Sequence, residues 1–345
     1  MLKLEYSATL GKVIRMDDIT TIGISSQTMA ERAIAEGRHE EAAEVSKYFF
    51  QELHMMGGVL ITWLRDILQH LLEQGQYDQP ALAAATLLRT FEVYDPGSPM
   101  LPRIEAAILA GRTDEAVREL NLMRQEYRAV HDLMVTWIQD LLTFMADRYG
   151  ESSVRESITR TNDNIWAVRF KRWSEMSVWE KVAFTCEGMR AHLSGPTRRG
   201  DVFIREEDDR YVFAFDPCGS AGVLRRGDPE TGRGPHPTEG LNRQAHDWTW
   251  GKTGVLWYCS HCPIAMEWLP GTRTGHPMRP LDHSLDPVMP SIWYVYKDEA
   301  ATRAEHYERV GLPVPRTAPQ VPTKSGLPSE WTPSDIYRKH AEPES

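Results

Sequence analysis

Four side chains of this chain combine metal-ligand chemistry with a spacing that lets them meet: Cys218, His246, Cys259 and Cys262. Cys259-Ser-His-Cys262 is a Cys-x-x-Cys, which brings two thiolates to one ion with little backbone rearrangement. Cys218 and His246 stand at earlier turns from which a tetrahedral Cys3His set is completed. Soft thiolates with one imidazole favour zinc, with iron as second choice. His261, between the two cysteines, is the alternative fourth ligand. Cys186 sits in a helical stretch and reads as a buried core thiol.

Around such an ion, Asp216, Asp247, His261 and Glu267 are the candidate acids and bases. Glu267 follows Cys262 by five residues, so one helical turn returns it towards the metal. Trp248, Trp250, Trp257 and Trp268 are candidates to wall an apolar pocket. The expectation is a zinc-dependent hydrolase or lyase acting on a small, partly apolar or aromatic molecule near a domain interface. Two alternatives stand beside it. One is a ligand-binding or regulatory protein stapled by structural zinc. The other dispenses with metal, as a Cys218 nucleophile with His246 as its base or as a redox Cys-x-x-Cys.

The elements that must position these residues change character along the chain. Before Pro196 the pattern is helical, and an offset of 74 residues aligns Glu31–Arg38 with Glu105–Arg112, Thr62-Trp63 with Thr136-Trp137, and Asp66 with Asp140. This implies a duplicated unit of short helix, Gly-Arg turn and long helix, with long helices from about His39 to Gly75 and Thr113 to Tyr149. Gly57-Gly58 is expected to bend the first of them. Further helices are expected over Gln79–Glu92 and Val178–Leu193. The repeated acids Glu52, Asp66, Glu126 and Asp140, with His70, raise the idea of a second metal site between symmetric helices. The usual Glu-x-x-His pairs are absent, and acids paired with arginine are the plainer reading.

After Pro196 short strands take over, with a hairpin over 201–215, strands at 223–225, 254–258 and 291–296, and helices from 263 and 299. The fold class expected is therefore α+β: a duplicated, pseudo-twofold helical bundle over 1–195, a smaller mixed α/β metal-binding domain over 196–312, and a Pro-rich tail over 313–345. Two domains also suit 345 residues, since one core seldom grows past about 250.

Composition narrows the partners. A net charge of -10 works against phosphate-backbone binding, so no nucleic acid is expected. No run approaches the ~20 apolar residues of a membrane span, and the first residues do not read as a secretory signal, so the expected setting is cytoplasmic. A small-molecule substrate is the expected partner, with a homo-oligomer as an open possibility.

Overall fold

The computed structural model describes residues 2–75, 95–195, 197–236 and 240–321. The protein is mixed helix and sheet, mostly helical, with two small antiparallel sheets. The helix expected over Gln79–Glu92 and most of the expected tail lie outside the described residues.

The chain opens with a hairpin, β1 (Leu4–Ser7) against β2 (Lys12–Arg15), which the sequence reading did not anticipate. Then come α1 (Ser26–Ala35), α2 (His39–Glu73), α3 (Leu101–Leu109) and α4 (Thr113–Tyr149). Gly37 and Gly111, at φ 71 and 67, turn the chain between the short and long helices, a left-handed conformation that glycine adopts without strain. The residues before the long helices, Arg38 and Arg112, have nearly the same backbone angles, and Ala33 and Ala107 carbonyls accept from their amides. Acidic residues lead both long helices, where they complement the amino-terminal end of the dipole. α2 runs without a break through Gly57-Gly58, and the Tyr127 ring of α4 packs beside Gly57.

Helices α5 (Ser152–Thr161), α6 (Ala167–Glu175) and α7 (Val178–Ala191) follow. Ser177 and Glu180 form a reciprocal capping box that starts α7. A four-stranded sheet, ordered β3 (Phe203–Glu206), β4 (Arg210–Phe215), β6 (Ser291–Tyr296) and β5 (Leu281–Asp282), lies beyond them. Period-two alternation sorts its side chains: Tyr211, Phe213, Phe215, Trp293 and Val295 join the main core, while Val212, Ile292, Tyr294 and Tyr296 form a small cluster on the opposite face.

The main core is one contiguous cluster from Leu10 to Ala318, so helices and sheet share their apolar interior. Three sequence expectations are corrected here. Residues 223–225 lie in helix α8 (Ala221–Arg226), not a strand. The stretch expected as a strand at 254–258 runs into a tight 3-10 turn, Trp257–Ser260, because it is covered by α4 rather than paired in a sheet: Gln139 Oε1 accepts from the Tyr258 amide at 2.8 Å. The helix expected from 299 to 310 is reduced to Glu299–Ala301 and α10 (Ala304–Glu308). Between them, Pro263–Trp268 is a wide helical turn that continues as α9 (Leu269–Thr274).

Among the described residues no helix is long and apolar enough to cross a membrane.

Candidate functional site

A partly enclosed cavity of about 100 Å³ lies where α2, α7 and the segment from Cys218 to Trp293 meet. α2 contributes Met55, Met56, Val59, Leu60 and Trp63 to its wall, one face of a helix stepping by three and four residues. Trp166, Trp250, Tyr258 and Trp293 add aromatic surface from four other segments. Trp63 is the pivot: its ring lies 5.2 Å from Trp166, 5.3 Å from Tyr258 and 5.2 Å from His261. Its indole Nε1 is buried and has no hydrogen-bond partner among the described residues.

Cys218, Cys259 and Cys262 all reach this wall, so the sequence spacing did bring the three cysteines to one place. They are free thiols. Burial pushes the Cys259 thiol up to about 12, with Arg225 pulling the other way, and burial pushes Cys262 up as well. Both are therefore protonated, and a thiol lacks the charge that makes a thiolate a ligand or nucleophile.

The expected Cys3His zinc site is overturned. Among the described residues no group of three or more His, Cys, Asp or Glu side chains is placed to hold a metal ion. The physical reasons lie in the histidines. His246 stacks on Trp248 and its Nε2 donates to Glu151 at 2.7 Å, away from the cavity. His261 does line the cavity, but its Nδ1 donates to the Tyr258 carbonyl at 2.6 Å, which leaves Nε2 3.5 Å from the Cys262 sulfur. The zinc-dependent hydrolase or lyase falls with that site, as do the iron option and the structural-zinc alternative, and Cys218 does not have His246 as a base.

The proposed acids are employed elsewhere. Glu267 is fully buried, accepting from Trp250 Nε1 at 2.9 Å, the Leu281 amide at 3.2 Å and Arg309 at 3.0 Å. Burial raises its carboxyl, against the pull of Arg309. Asp216 pairs with Arg226 at 2.5 Å, and Asp247 is exposed beside Gly311. Of the expected pocket tryptophans only Trp250 reaches the cavity.

The repeated acids of the long helices do not converge either. Glu52 pairs with Arg190 at 2.7 Å, Asp66 accepts from Thr161 and Asn164 at 2.7 Å, Glu126 accepts from the Gly97 amide, and Asp140 meets His236. His70 contacts Gln74. Cys186 is buried and pushed up to about 11 by that burial, as expected of a core thiol.

Several wall residues escaped the sequence reading. Arg279 reaches the cavity with its guanidinium over the rings of Trp173, Phe184 and Trp293. His192, just past α7, and Ser220 face each other across 2.8 Å. Gly219 makes that approach possible, because a Cβ there would collide with the His192 carbonyl. Pro217-Cys-Gly-Ser220 carries a turn signal in the sequence, with Pro and Gly on either side of Cys218.

His283 is stacked on Trp250 at 4.9 Å and lines the same cavity. Burial, aided by Arg225 and Lys252, pushes it down to about 3. The folded imidazole thus stays neutral while the unfolded one takes up a proton near pH 6.5. Its contribution is complete above the unfolded value and is lost as pH falls from about 6.5 towards 3, at about 1.4 kcal/mol per pH unit. His131 and His306, also lowered by burial, act in the same direction, whereas the raised carboxyls Glu187 and Glu267 oppose it. Urea unfolding at pH 7 and pH 5.5 is expected to show a shallower loss for His283→Gln than for wild type. Equal slopes would show that His283 is not the buried neutral group described.

Searches against family models, curated proteins and solved structures returned no match for this chain.

Proposed function

We propose that this protein binds a small, largely apolar molecule in the cavity between its helices and its sheet. The observation that carries this reading is the union of an aromatic wall with a buried indole N–H, Trp63 Nε1, that has no acceptor among the described residues. Buried donors are normally satisfied, and a ligand acceptor is one way to satisfy this one. Methionine and thiol sulfur on the wall add polarisable, adaptable contacts that suit an aromatic guest. In the same reading the helical part is a duplicated unit, supported by the matching turns at Gly37-Arg38 and Gly111-Arg112.

Gly188 supplies the test. It lies on α7 at the cavity wall, and a Cβ built on it meets nothing within 4 Å. Gly188→Phe therefore places a ring where the ligand would sit, and exchanging a mid-helix glycine also removes a helix penalty of up to about 1 kcal/mol. Calorimetric titration with phenol, whose oxygen accepts a hydrogen bond, is expected to give saturable binding to wild type and binding weaker by about tenfold or more in the variant, or about 1.4 kcal/mol. The variant should melt no lower than wild type. Equal binding by both proteins, or none by wild type, would refute the assignment.

A further inference from the structure

A second pocket, of about 320 Å³, opens between the end of α8, the loop from 228 to 235 and the turn at Pro287-Val288. It shares no wall residue with the cavity above. Arg225-Arg-Gly-Asp-Pro229 closes α8 and turns the chain, and Gly232-Arg-Gly-Pro235 turns it back. Backbone hydrogen bonds of 2.7 and 3.1 Å between Asp228 and Arg233 tie the two turns together. Gly232 and Gly234 leave open space where other side chains would begin. The wall is thus glycine, proline and valine, apart from Arg225, Arg226, Asp228 and Arg233.

The charges set two of these arginines apart. Arg226 is paired with Asp216 at 2.5 Å, and Asp228 is engaged by Arg198 at 3.2 Å and Arg128 at 3.7 Å. Arg225 and Arg233 form no ion pair with a described residue: Arg225 Nη2 donates to the Ser284 carbonyl at 2.7 Å, and Arg233 Nη2 to the Thr136 hydroxyl. Such neutral acceptors satisfy a donor but leave the charge unbalanced. None of the other guanidinium nitrogens of either residue is sealed from solvent without a partner. They therefore open onto accessible space, and the pocket is the accessible space that both residues line. Burial works against the Arg225 charge and Arg226 repels it, while exposed Asp286 attracts it. A bound anion would offset both the burial and the repulsion.

We propose that this pocket binds a small molecule carrying a dianionic oxyanion of the phosphate class, held by Arg225 and Arg233. The planar fork of guanidinium fits phosphate oxygens, and two such groups match a double negative charge. The chain's net charge of -10 argues against an extended nucleic-acid backbone as the source of that phosphate.

The probe is inorganic phosphate at about pH 8, where the dianion dominates, titrated calorimetrically into the full-length protein with sodium chloride matching the ionic strength. Wild type is expected to bind saturably at one site. Arg225→Met and Arg233→Met should each bind about tenfold or more weakly, since each removes charge-assisted contacts. Without phosphate, Arg225→Met should melt no lower than wild type, because a half-buried charge is exchanged for an apolar stem. Gly234→Glu, which carries a carboxylate into the pocket, should abolish phosphate binding with both arginines intact. Arg233→Met should bind phenol as wild type does, so this pocket and the apolar cavity stand or fall separately. No heat from wild type beyond the chloride control, or wild-type phosphate affinity in both arginine variants, would overturn the site. Acetate binding as tightly as phosphate would overturn the dianion assignment.

Discussion

Glu52→Ala is expected to lower folding stability by about 3 to 5 kcal/mol, the cost of stranding a buried charge. Glu52 and Arg190 are each 1% exposed at the side chain and lie 2.7 Å apart, with a second buried pair, Arg15 and Asp17, close by. Burial works against the Arg190 charge, and the attraction of Glu52 more than offsets it, leaving Arg190 held above its ordinary value. Arg15 feels the repulsion of Arg190 and the attraction of Glu52, so removing the carboxylate leaves two guanidiniums facing each other. Urea unfolding measures the loss. Replacing both partners with apolar residues, Glu52→Leu with Arg190→Met, should recover most of it, because the expense lies in the unpaired charge rather than in the missing bridge. A single-variant loss below about 1 kcal/mol, the level of an exposed pair, would contradict the burial described.

Trp63→Ala is expected to cost about 3 to 5 kcal/mol as well, through lost transfer energy and the hole left behind. Trp63 is 2% exposed and joins α2 to Trp166 and Tyr258, so its removal loosens the contact between helical and sheet-bearing parts. Indole should then raise the melting temperature of the variant more than that of wild type, since a ligand that binds only the folded state stabilises by mass action. If indole raises both equally, the vacated space is not continuous with the cavity.

Much of the helical part was legible because its signals are local. The long helices begin at His39 and Thr113 as expected from the Gly-Arg turns, and Phe49, Leu53, Met56, Leu60 and Leu64 form the buried stripe that their spacing required. The hairpin of β3 and β4 followed from alternation. The segment from 254 to 260 misled because its apolar run is buried by packing against α4, and periodicity does not separate that from a strand.

The site was half legible. Cysteine spacing located the cavity wall, but whether thiols are ionised depends on surrounding burial and charge, which spacing does not encode. Likewise His246 had an attractive position in the chain, yet Glu151, 95 residues earlier, claims it. The contact between His131 and His192 joins residues 61 apart with no motif between them, so only the fold reveals it.

The most direct test of the ligand cavity is diffraction from crystals grown with a bromoindole, locating the bromine by its anomalous signal. The peak is expected inside the wall formed by Trp63, Trp250 and Trp293, with the indole displaced in Gly188→Phe crystals. A bromine peak on the outer surface, or an empty cavity at saturating ligand, would contradict the assignment.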